Sequence, residues 1–426
     1  MVETWGTSLN GPTMKRRQVV KSALGTGRGT KGEKADGRRH VERSLDEKSA
    51  GSSRVMAFFS HLVSVLGVER DVYCIAVAHM VPNTVLFVPA ALNKLMKVSA
   101  VLAKPKSVDR DEYAEIAEQF PTPPLSREWA ANPAEVVAEF NKLGLAGKSI
   151  VIVDIGGYFA PSINEIVKLF DGTILGVMEG TENGVQKYEA YLPISAPVIT
   201  VARSPLKLPE DHLVASSVVF SIEAVLRGQA EILQTRTAAV IGYGRVGRSV
   251  ASILRSRGIN TVIYDSDPIK LAEAAARGFQ ANTRLDQAIG QASLVVCATG
   301  NKSLGLKGFG MLQSGCVVAS VTSADDEFDL GSLSKGYVRK EIGSNFVRYE
   351  ENRGSGRHFF LIADGNAANF IHGAVIGPAI QLIEGEKLRA IKKLIERQVP
   401  PAETHLDELD EKSRREVAEV WIEHFL

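Results

Sequence analysis

Three glycines in one short stretch of the chain have the spacing that binding of a phosphate ligand requires. The apolar run Ala238 to Ile241 leads into Gly242, Gly244 and Gly247, and a helical pattern of apolar residues follows. In such a strand, turn and helix, the first glycine permits a tight turn and the second lets the backbone approach a pyrophosphate. The third lets the helix pack against the strand. The free amides at the start of the helix would then hold the pyrophosphate.

An acidic residue follows at the distance expected of a ribose-binding side chain. The apolar run Thr261 to Tyr264 ends in Asp265, eighteen residues beyond Gly247. A carboxylate there would repel a 2'-phosphate, so the sequence favours NAD over NADP. Glycine turns of this kind also occur in α/β proteins without a cofactor, but the flanking strands, the helix and the acid together favour dinucleotide binding. The residues that this pattern assigns to the cofactor are Gly242, Tyr243, Gly244, Arg245, Val246, Gly247 and Asp265.

The rest of the chain alternates strand and helix patterns, which predicts two α/β domains with mostly parallel sheets. We predict two Rossmann-like domains with a cleft between them. The first covers residues 56–215 and is completed by 360–385, which return as a strand, Phe359 to Ala363, and a helix, Asn369 to Glu384. The dinucleotide domain covers 216–359, and 386–426 form peripheral helices.

The almost wholly apolar stretch Tyr73 to Leu92 has two interpretations. Its length would suit a membrane span. It is interrupted by His79, Pro82 and Asn83, however, which suit a strand followed by a turn and a helix better. We therefore expect a strand over Tyr73 to Ala78, with His79 and Met80 in a turn, and no membrane partner.

Composition places the chain among ordinary globular proteins, with one exception. Charged residues make up 23% of the 426 residues and the net charge is +1, but residues 1–54 hold twelve Lys and Arg against six Asp and Glu. This segment carries about +6 and the remainder about −5. With many Gly and Ser and little apolar periodicity, residues 1–55 are expected to be a disordered basic tail. A nucleic-acid or membrane-surface arm is one interpretation, and a leader without a role, with no nucleic-acid partner, is the favoured one.

Three cysteines lie far apart inside apolar runs: Cys74, Cys297 and Cys316. They have no metal-type spacing, and we predict reduced, buried thiols in a cytoplasmic protein without a metal site.

With these residues placed, the chain resembles the S-adenosylhomocysteine hydrolase family, most clearly from Glu179 to Gly385. The turn Gly-Tyr-Gly-Arg-Val-Gly at 242–247 resembles that family's Gly-Tyr-Gly-Asp-Val-Gly, and Asp265-Ser-Asp-Pro-Ile resembles its Glu-x-Asp-Pro-x. The resemblance implies further cofactor contacts: Thr181, Glu182 and Asn183 stand where the family has three threonines, and Thr299, Gly300 and Asn301 form the strand end near the nicotinamide ribose. Asn369 stands where an asparagine binds the carboxamide.

The same resemblance implies a chemistry and its residues. The family uses tightly held NAD to oxidise the 3'-hydroxyl of a nucleoside, which acidifies the C4' proton and permits elimination of the 5' group. Lys207 and Asp211 match the family's Lys-x-x-x-Asp pair, and His79 matches its acid/base histidine. Without the resemblance, the first two would be a surface pair at a helix start and His79 a core histidine.

Several positions depart from the family pattern. Ile155 stands for the catalytic aspartate that follows Asp154, and Gly180 stands for a substrate-binding glutamate, for which Glu179 could partly compensate. Other substitutions fall near the substrate, where Ser323 replaces a histidine, His212 replaces an asparagine, and His372 lies close to the position of a missing histidine. The residues that the resemblance assigns to NAD and to hydride transfer are thus kept, whereas several of those near the substrate are altered.

Three functions remain open at this point. The first is an NAD-dependent enzyme that acts on a nucleoside or nucleoside thioether by transient 3'-oxidation, with a small-molecule substrate and, by resemblance, a homo-oligomeric state. The second is a non-catalytic NAD-binding regulatory homologue. The third is a net dehydrogenase of a small acid, since two-domain dehydrogenases share this layout.

Overall fold

The computed structural model describes residues 52–82, 84–352, 354–396 and 399–426. Contacts divide the chain into two compact units, Met1–Ser52 and Ser53–Leu426. The predicted basic tail lies outside the described residues as far as residue 51, whereas 52–55 begin the first helix.

The second unit contains fourteen strands among the described residues. In chain order they are β1 Val72–Met80, β2 Lys97–Val108, β3 Ser149–Asp154, β4 Thr173–Glu179, β5 Val198–Thr200, β6 Ala238–Ile241, β7 Thr261–Tyr264, β8 Gln280–Ala281, β9 Leu294–Cys297, β10 Cys316–Ser320, β11 Tyr337–Gly343, β12 Phe346–Glu351, β13 His358–Ile362 and β14 Asp407–Glu408.

Helices alternate with these strands. They are α1 52–66, α2 Asn93–Leu95, α3 Arg110–Gln119, α4 Arg127–Ala130, α5 Pro133–Lys142, α6 Ile163–Leu169, α7 Glu182–Ala190, α8 Leu208–Gly228, α9 Arg245–Ser256, α10 Pro268–Ala276, α11 Leu285–Ile289, α12 Leu306–Phe309, α13 Ala324–Glu327, α14 Ala379–Ile395 and α15 Glu411–Phe425.

The strands form two sheets. The first has the order β14-β5-β4-β3-β1-β2 and is parallel throughout. The second has the order β11-β12-β13-β10-β9-β6-β7-β8, in which only the hairpin β11–β12 and its pairing with β13 are antiparallel. The predicted α/β class with two Rossmann-like sheets is confirmed.

Helices cover both faces of each sheet, which explains why the strands are apolar on both sides. In β1, Cys74 and Ala76 belong to one buried cluster and Ile75 and Val77 to another on the opposite face. The strands of the second sheet divide in the same way between two further clusters.

Three details of these elements differ from the sequence prediction. β1 continues through His79 and Met80, which were expected in a turn, because its parallel pairing with β2 extends to Met80 opposite Val108. The return segment begins with β13 in the second sheet, and the chain reaches the first sheet again only with α14. α14 crosses the predicted boundary at 386, and most of its residues are buried against the first sheet rather than peripheral. The exact domain limits stay a prediction.

The membrane interpretation of Tyr73 to Leu92 is wrong for this chain, since the segment starts as β1, which pairs with β3 and β2 in the first sheet. Among the described helices, none combines the length and the apolar character that a bilayer crossing requires. The three cysteines are free and buried, as predicted.

Candidate active site

The carboxyl ends of both sheets open onto one cavity of about 890 Å³. In the first sheet the strand order reverses between β1 and β3, and in the second between β6 and β9. Ligands of open parallel sheets bind at such reversal points. The cavity therefore lies where both sheets would place a ligand.

The glycine turn occupies the end of β6. Gly242 has φ of +92°, and a Cβ there would lie 2.7 Å from the Ala298 carbonyl oxygen, so two constraints require glycine. A Cβ at Gly247 would collide with the Gly242 carbonyl, which explains the close approach of α9. A Cβ at Gly244 would instead meet nothing within 4 Å, and this residue lines the cavity. The first and third glycines thus serve packing, and the second leaves open space.

Asp265 is positioned by the backbone of the turn. Its carboxylate accepts hydrogen bonds from the Tyr243 amide at 2.6 Å and from the Asp267 amide at 2.9 Å. The carboxylate lies at the cavity wall, at the end of β7. The Tyr243 side chain is buried and packs against Phe279 with ring centroids 5.9 Å apart. Tyr243 therefore contributes its backbone to this site.

Asn369 offers a polar atom without a partner. The residue is 5% exposed and lines the cavity, and its Oδ1 has no hydrogen-bond partner among the described residues. A buried amide oxygen in that state costs about 1–3 kcal/mol unless a ligand satisfies it. Together with the space at Gly244, this orphan oxygen fits a dinucleotide whose amide end reaches Asn369.

The remaining cofactor candidates join the two sheets across the cavity. The Asn183 side chain donates to the Gly300 carbonyl oxygen at 2.5 Å. The Arg245 guanidinium donates to the Ser204 carbonyl oxygen at 2.8 Å, so it contacts the first sheet's side of the cavity. The predicted residues that line the cavity are Thr181, Glu182, Asn183, Gly242, Tyr243, Gly244, Arg245, Val246, Asp265, Thr299, Gly300, Asn301 and Asn369, whereas Gly247 does not.

Two buried acids accept hydrogen bonds from the loops of this site. Glu327 is fully buried and accepts from the Gly300 amide at 2.6 Å and from the Thr299 amide and hydroxyl. Glu179 is also fully buried and accepts from the Thr181 amide at 2.7 Å and from the Gly157 amide at 2.9 Å. Burial, followed by the charge of Asp154, raises the pKa of Glu179.

Lys207 and Asp211 form a buried ion pair at the start of α8. The Lys207 Nζ lies 3.1 Å from Asp211 Oδ1 and 3.0 Å from Glu210 Oε1. Burial alone would lower the pKa of Lys207, but the two carboxylates outweigh it and the pKa is raised. Burial also raises the pKa of Asp211, against the charge of Lys207. Both residues line the cavity, so the pair is not the surface pair that a helix start alone would suggest.

His79 faces the same cavity through an irregular pairing of β1 with β2. Ala78 pairs with Ala103 and Met80 with Val108, so residues 104–107 bulge out opposite His79. This bulge places Ser107 Oγ 2.6 Å from His79 Nδ1. Burial, then the charges of three lysines, lower the pKa of His79 well below its usual value. The ring is neutral at pH 7.

The hydrogen bonds of Ser107 bear on the tautomer of His79. The Ser107 hydroxyl lies 3.0 Å from the Lys104 carbonyl oxygen, to which it can donate its single proton. With the proton placed there, the bond between Ser107 and His79 uses the proton of Nδ1. Nε2, which has no hydrogen-bond partner among the described residues, then carries the lone pair, and this suits proton uptake.

Comparison with known proteins agrees with this architecture. The model of the S-adenosyl-L-homocysteine hydrolase NAD-binding domain matches residues 216–375. An adenosylhomocysteinase of Thermoplasma acidophilum is 25% identical over 359 residues, which cover 82% of this chain and 84% of that protein. Residues 216–375 therefore match an S-adenosyl-L-homocysteine hydrolase NAD-binding domain, and the chain is similar to adenosylhomocysteinases over most of its length. Its second sheet accordingly belongs to an NAD-binding domain, and the predicted cofactor NAD is confirmed.

Other relatives are more partial. An adenosylhomocysteinase of Sulfolobus acidocaldarius is 28% identical over 226 residues, 52% of this chain and 53% of that protein. Among solved structures, an NADPH-dependent glyoxylate/hydroxypyruvate reductase from Sinorhizobium meliloti is 15% identical with a TM-score of 0.41, covering 73% of this chain and 99% of that one.

At the positions that differ from the S-adenosylhomocysteine hydrolase family, the structure provides no replacement acid. Ile155 and Gly180 line the cavity, and a Cβ at Gly180 would touch Ile155 at 3.1 Å. The expectation that Glu179 compensates for Gly180 is wrong, because its carboxylate is bound to loop amides and is fully buried. Asp154 is buried too and accepts from the Tyr188 hydroxyl at 2.9 Å and the Phe159 amide at 3.1 Å.

Of the three other positions that differ from the family, only Ser323 lines the cavity. His372 is exposed and lies 2.9 Å from Ser221 Oγ, and it does not line the cavity. His212 is exposed. Ser323 lines the cavity and donates to Asp326 at 3.1 Å.

Sequence reasoning missed several residues of this site. These are Ser107, Lys104 and Glu210. The first two lie near His79 because of the bulge in β2 and its pairing with β1, which no local pattern reveals. Glu210 lies only three residues from Lys207 at the start of α8, so its spacing could have indicated the contact.

Proposed function

We propose that this chain is an NAD-dependent enzyme that acts on a nucleoside or a nucleoside thioether by transient oxidation of the 3'-hydroxyl. The observation that carries the proposal is the buried pair Lys207–Asp211, which lines one cavity together with the neutral His79 and the glycine turn. Bound NAD would supply the hydride acceptor for the 3'-carbon and the donor that restores it.

The protein's own groups divide the proton transfers between them. Two of the three Lys207 ammonium protons face Glu210 and Asp211, which leaves the third for the oxygen of the 3'-hydroxyl. Asp211, whose pKa burial raises, accepts the hydroxyl proton. His79 takes up and returns a proton at Nε2 near C4' or C5', with Ser107 holding its ring.

Ordinary hydrolysis of S-adenosylhomocysteine is not part of the proposal. Ile155 and Gly180 leave that wall of the cavity without the two acids of the family, and Glu179 is engaged elsewhere. The substrate is therefore expected to differ on that side.

The test is incubation of the purified, NAD-loaded protein with a panel of nucleosides, nucleoside thioethers and nucleoside 5'-monophosphates, followed by the near-ultraviolet absorbance of reduced nicotinamide. Enzyme-bound reduction that disappears in Lys207→Met supports the proposal. Failure of every nucleoside, nucleoside thioether and nucleoside 5'-monophosphate to reduce bound NAD refutes it, and steady release of free NADH with a small hydroxy acid would favour a net dehydrogenase.

A non-catalytic NAD-binding role is the second candidate, favoured by the missing acids at 155 and 180. It predicts that Lys207→Met retains NAD and leaves the phenotype of a cell that depends on this protein unchanged. Loss of that phenotype with NAD still bound excludes it.

A further inference from the structure

Three lysines surround the part of the cavity that lies beside His79. Lys104 and Lys106 come from the bulge of β2, and Lys387 comes from α14. Lys104 is only 9% exposed, and burial is the first cause that lowers its pKa. The ammonium of Lys387 lies 5.6 Å from the centre of the Phe87 ring.

These lysines form no salt bridge among the described residues, although the charges of Asp326 and Glu179 act on Lys104 and Lys387 acts on the buried Glu384. No carboxylate of the described chain lies within 4 Å of any of the three ammonium groups, and none of these groups donates a hydrogen bond there. The neighbouring acid Asp326 is already paired with Lys187 at 2.9 Å and Arg127 at 3.4 Å. An unpaired, buried ammonium is costly, so this arrangement calls for an anion.

Glycine residues lie beside two of the lysines. A Cβ at Gly156, just beyond β3, would lie 3.3 Å from Lys104 Nζ, and a Cβ at Gly180, just beyond β4, would lie 3.3 Å from Lys387 Cε. Since β3 and β4 are adjacent strands, Lys104 and Lys387 face the same end of the first sheet. The apolar side chain of Ile155 lies next to Gly180, where an added Cβ would come within 3.1 Å of it.

Two of these lysines, Lys104 and Lys387, act on His79 through their charge. After burial, the charges of Lys104, Lys387 and Lys207 are the causes that lower the pKa of His79. A ligand atom beside His79 would therefore experience the same positive field. An ammonium group would be repelled there, whereas a phosphate monoester carries about −1.5 to −2 charges at pH 7 and three strong acceptor oxygens.

We propose that the substrate is a nucleoside phosphate whose phosphate monoester binds Lys104, Lys106 and Lys387. Placement of the phosphate on the 5' side of the sugar rests on the proposed function, which puts the 3'-hydroxyl at Lys207 and the 5' end near His79. The binding of the phosphate itself rests only on the lysines and the missing acids.

Calorimetry on the NAD-loaded protein tests this inference. The probes are the 5'-monophosphates of adenosine, guanosine, cytidine and uridine, each compared with its own nucleoside and, for adenosine, with S-adenosylhomocysteine. We expect at least one monophosphate to bind about tenfold or more tightly than its nucleoside, since a hydrogen bond to a charged group contributes about 1.5–3 kcal/mol.

The variants Lys104→Met and Lys387→Gln should each remove about tenfold of that affinity and leave nucleoside binding unchanged. Lys387→Gln alters a partly exposed residue and keeps the test valid should Lys104→Met not fold. Lys412→Gln, at an exposed position of α15, is the matched control and should retain full affinity.

The inference is overturned if every monophosphate binds no more tightly than its nucleoside, or if both variants bind the preferred monophosphate as the wild type does. It stands if a monophosphate binds through the lysines yet never reduces NAD, in which case the proposed function alone fails. The converse outcome is that a neutral nucleoside reduces bound NAD equally well in the wild type and in the lysine variants, with no monophosphate bound more tightly. In that case the proposed function stands and the phosphate site is refuted.

Discussion

Gly244 provides the sharpest test of how the glycine turn works, because its substitution separates binding from folding. Its backbone, at φ of −68° and ψ of −169°, is one that alanine adopts without strain, and a Cβ there would meet no protein atom within 4 Å. Gly244→Ala should therefore fold with the stability of the wild type, or gain up to about 1 kcal/mol through the less flexible unfolded chain. The added methyl instead fills space that we assign to the pyrophosphate.

The expected loss of NAD affinity follows from that overlap. Forcing an extra methyl against a well-packed partner costs about 1–3 kcal/mol, which corresponds to roughly 5- to 150-fold in Kd. The assay is calorimetric titration with NAD of protein freed of nucleotide, beside a thermal melt. Gly228→Ala is the matched control, since a Cβ at this last residue of α8 also meets nothing within 4 Å but lies outside the cavity.

A Gly244→Ala protein that melts like the wild type and binds NAD with unchanged affinity would refute the assignment of the space at Gly244 to the pyrophosphate. Gly242→Ala cannot replace it in this experiment. Its positive φ and its contact with the Ala298 carbonyl would disturb the fold and the site together.

Three further predictions concern the interior of the cavity. Lys207→Met should retain NAD in calorimetry but lower the single-turnover rate of nicotinamide reduction by at least about a hundredfold, within the usual range for loss of an acid/base group; equal rates would remove Lys207 from the chemistry. Lys104→Met removes a charge that lowers the pKa of His79, so the pH below which His79 becomes protonated and activity falls should rise; a pH–rate profile whose acid limb stays in place contradicts this. Glu327→Ala leaves the Thr299 and Gly300 amides without their acceptor. It should therefore lower the free energy of unfolding, measured by urea titration, by about 3 kcal/mol or more. The control Asp325→Ala, at an exposed neighbouring position, should change this free energy little.

Local patterns were sufficient to predict many elements of the fold. The strands Ala238–Ile241 and Thr261–Tyr264 lie where apolar runs indicated them. The hairpin β11–β12 was not predicted, because most of β11 is exposed and so its residues lack the alternation that marks a half-buried strand. The expected helix from Asn369 to Glu384 is interrupted at Gly373, which has φ of +69° in the left-handed region.

Positions at the ends of strands could be predicted, but the contacts made there could not. The glycine turn and Asp265 were assigned from sequence because each follows a recognisable apolar strand, whereas His79 was assigned through the resemblance to the family. The contact of His79 with Ser107 depends on a bulge in β2, and the ion pair of Asp326 with Lys187 depends on packing between distant segments. Such long-range contacts leave no periodic signal in the sequence.

The two acids on either side of Gly180 show why the substrate half of the cavity is altered. Glu179 precedes Gly180 on β4, and successive strand residues point to opposite sides of the sheet. Its carboxylate accordingly lies behind the wall, where it holds the Gly157 and Thr181 amides, and cannot turn into the cavity without leaving those donors unpaired. Glu182, two residues beyond Gly180, is paired with Arg203 at 2.8 Å. Neither acid is free to approach Lys387, and burial raises the pKa of the neighbouring Glu384 well above its usual value despite the charge of Lys387. The positive charge on this wall is therefore left for the substrate to balance.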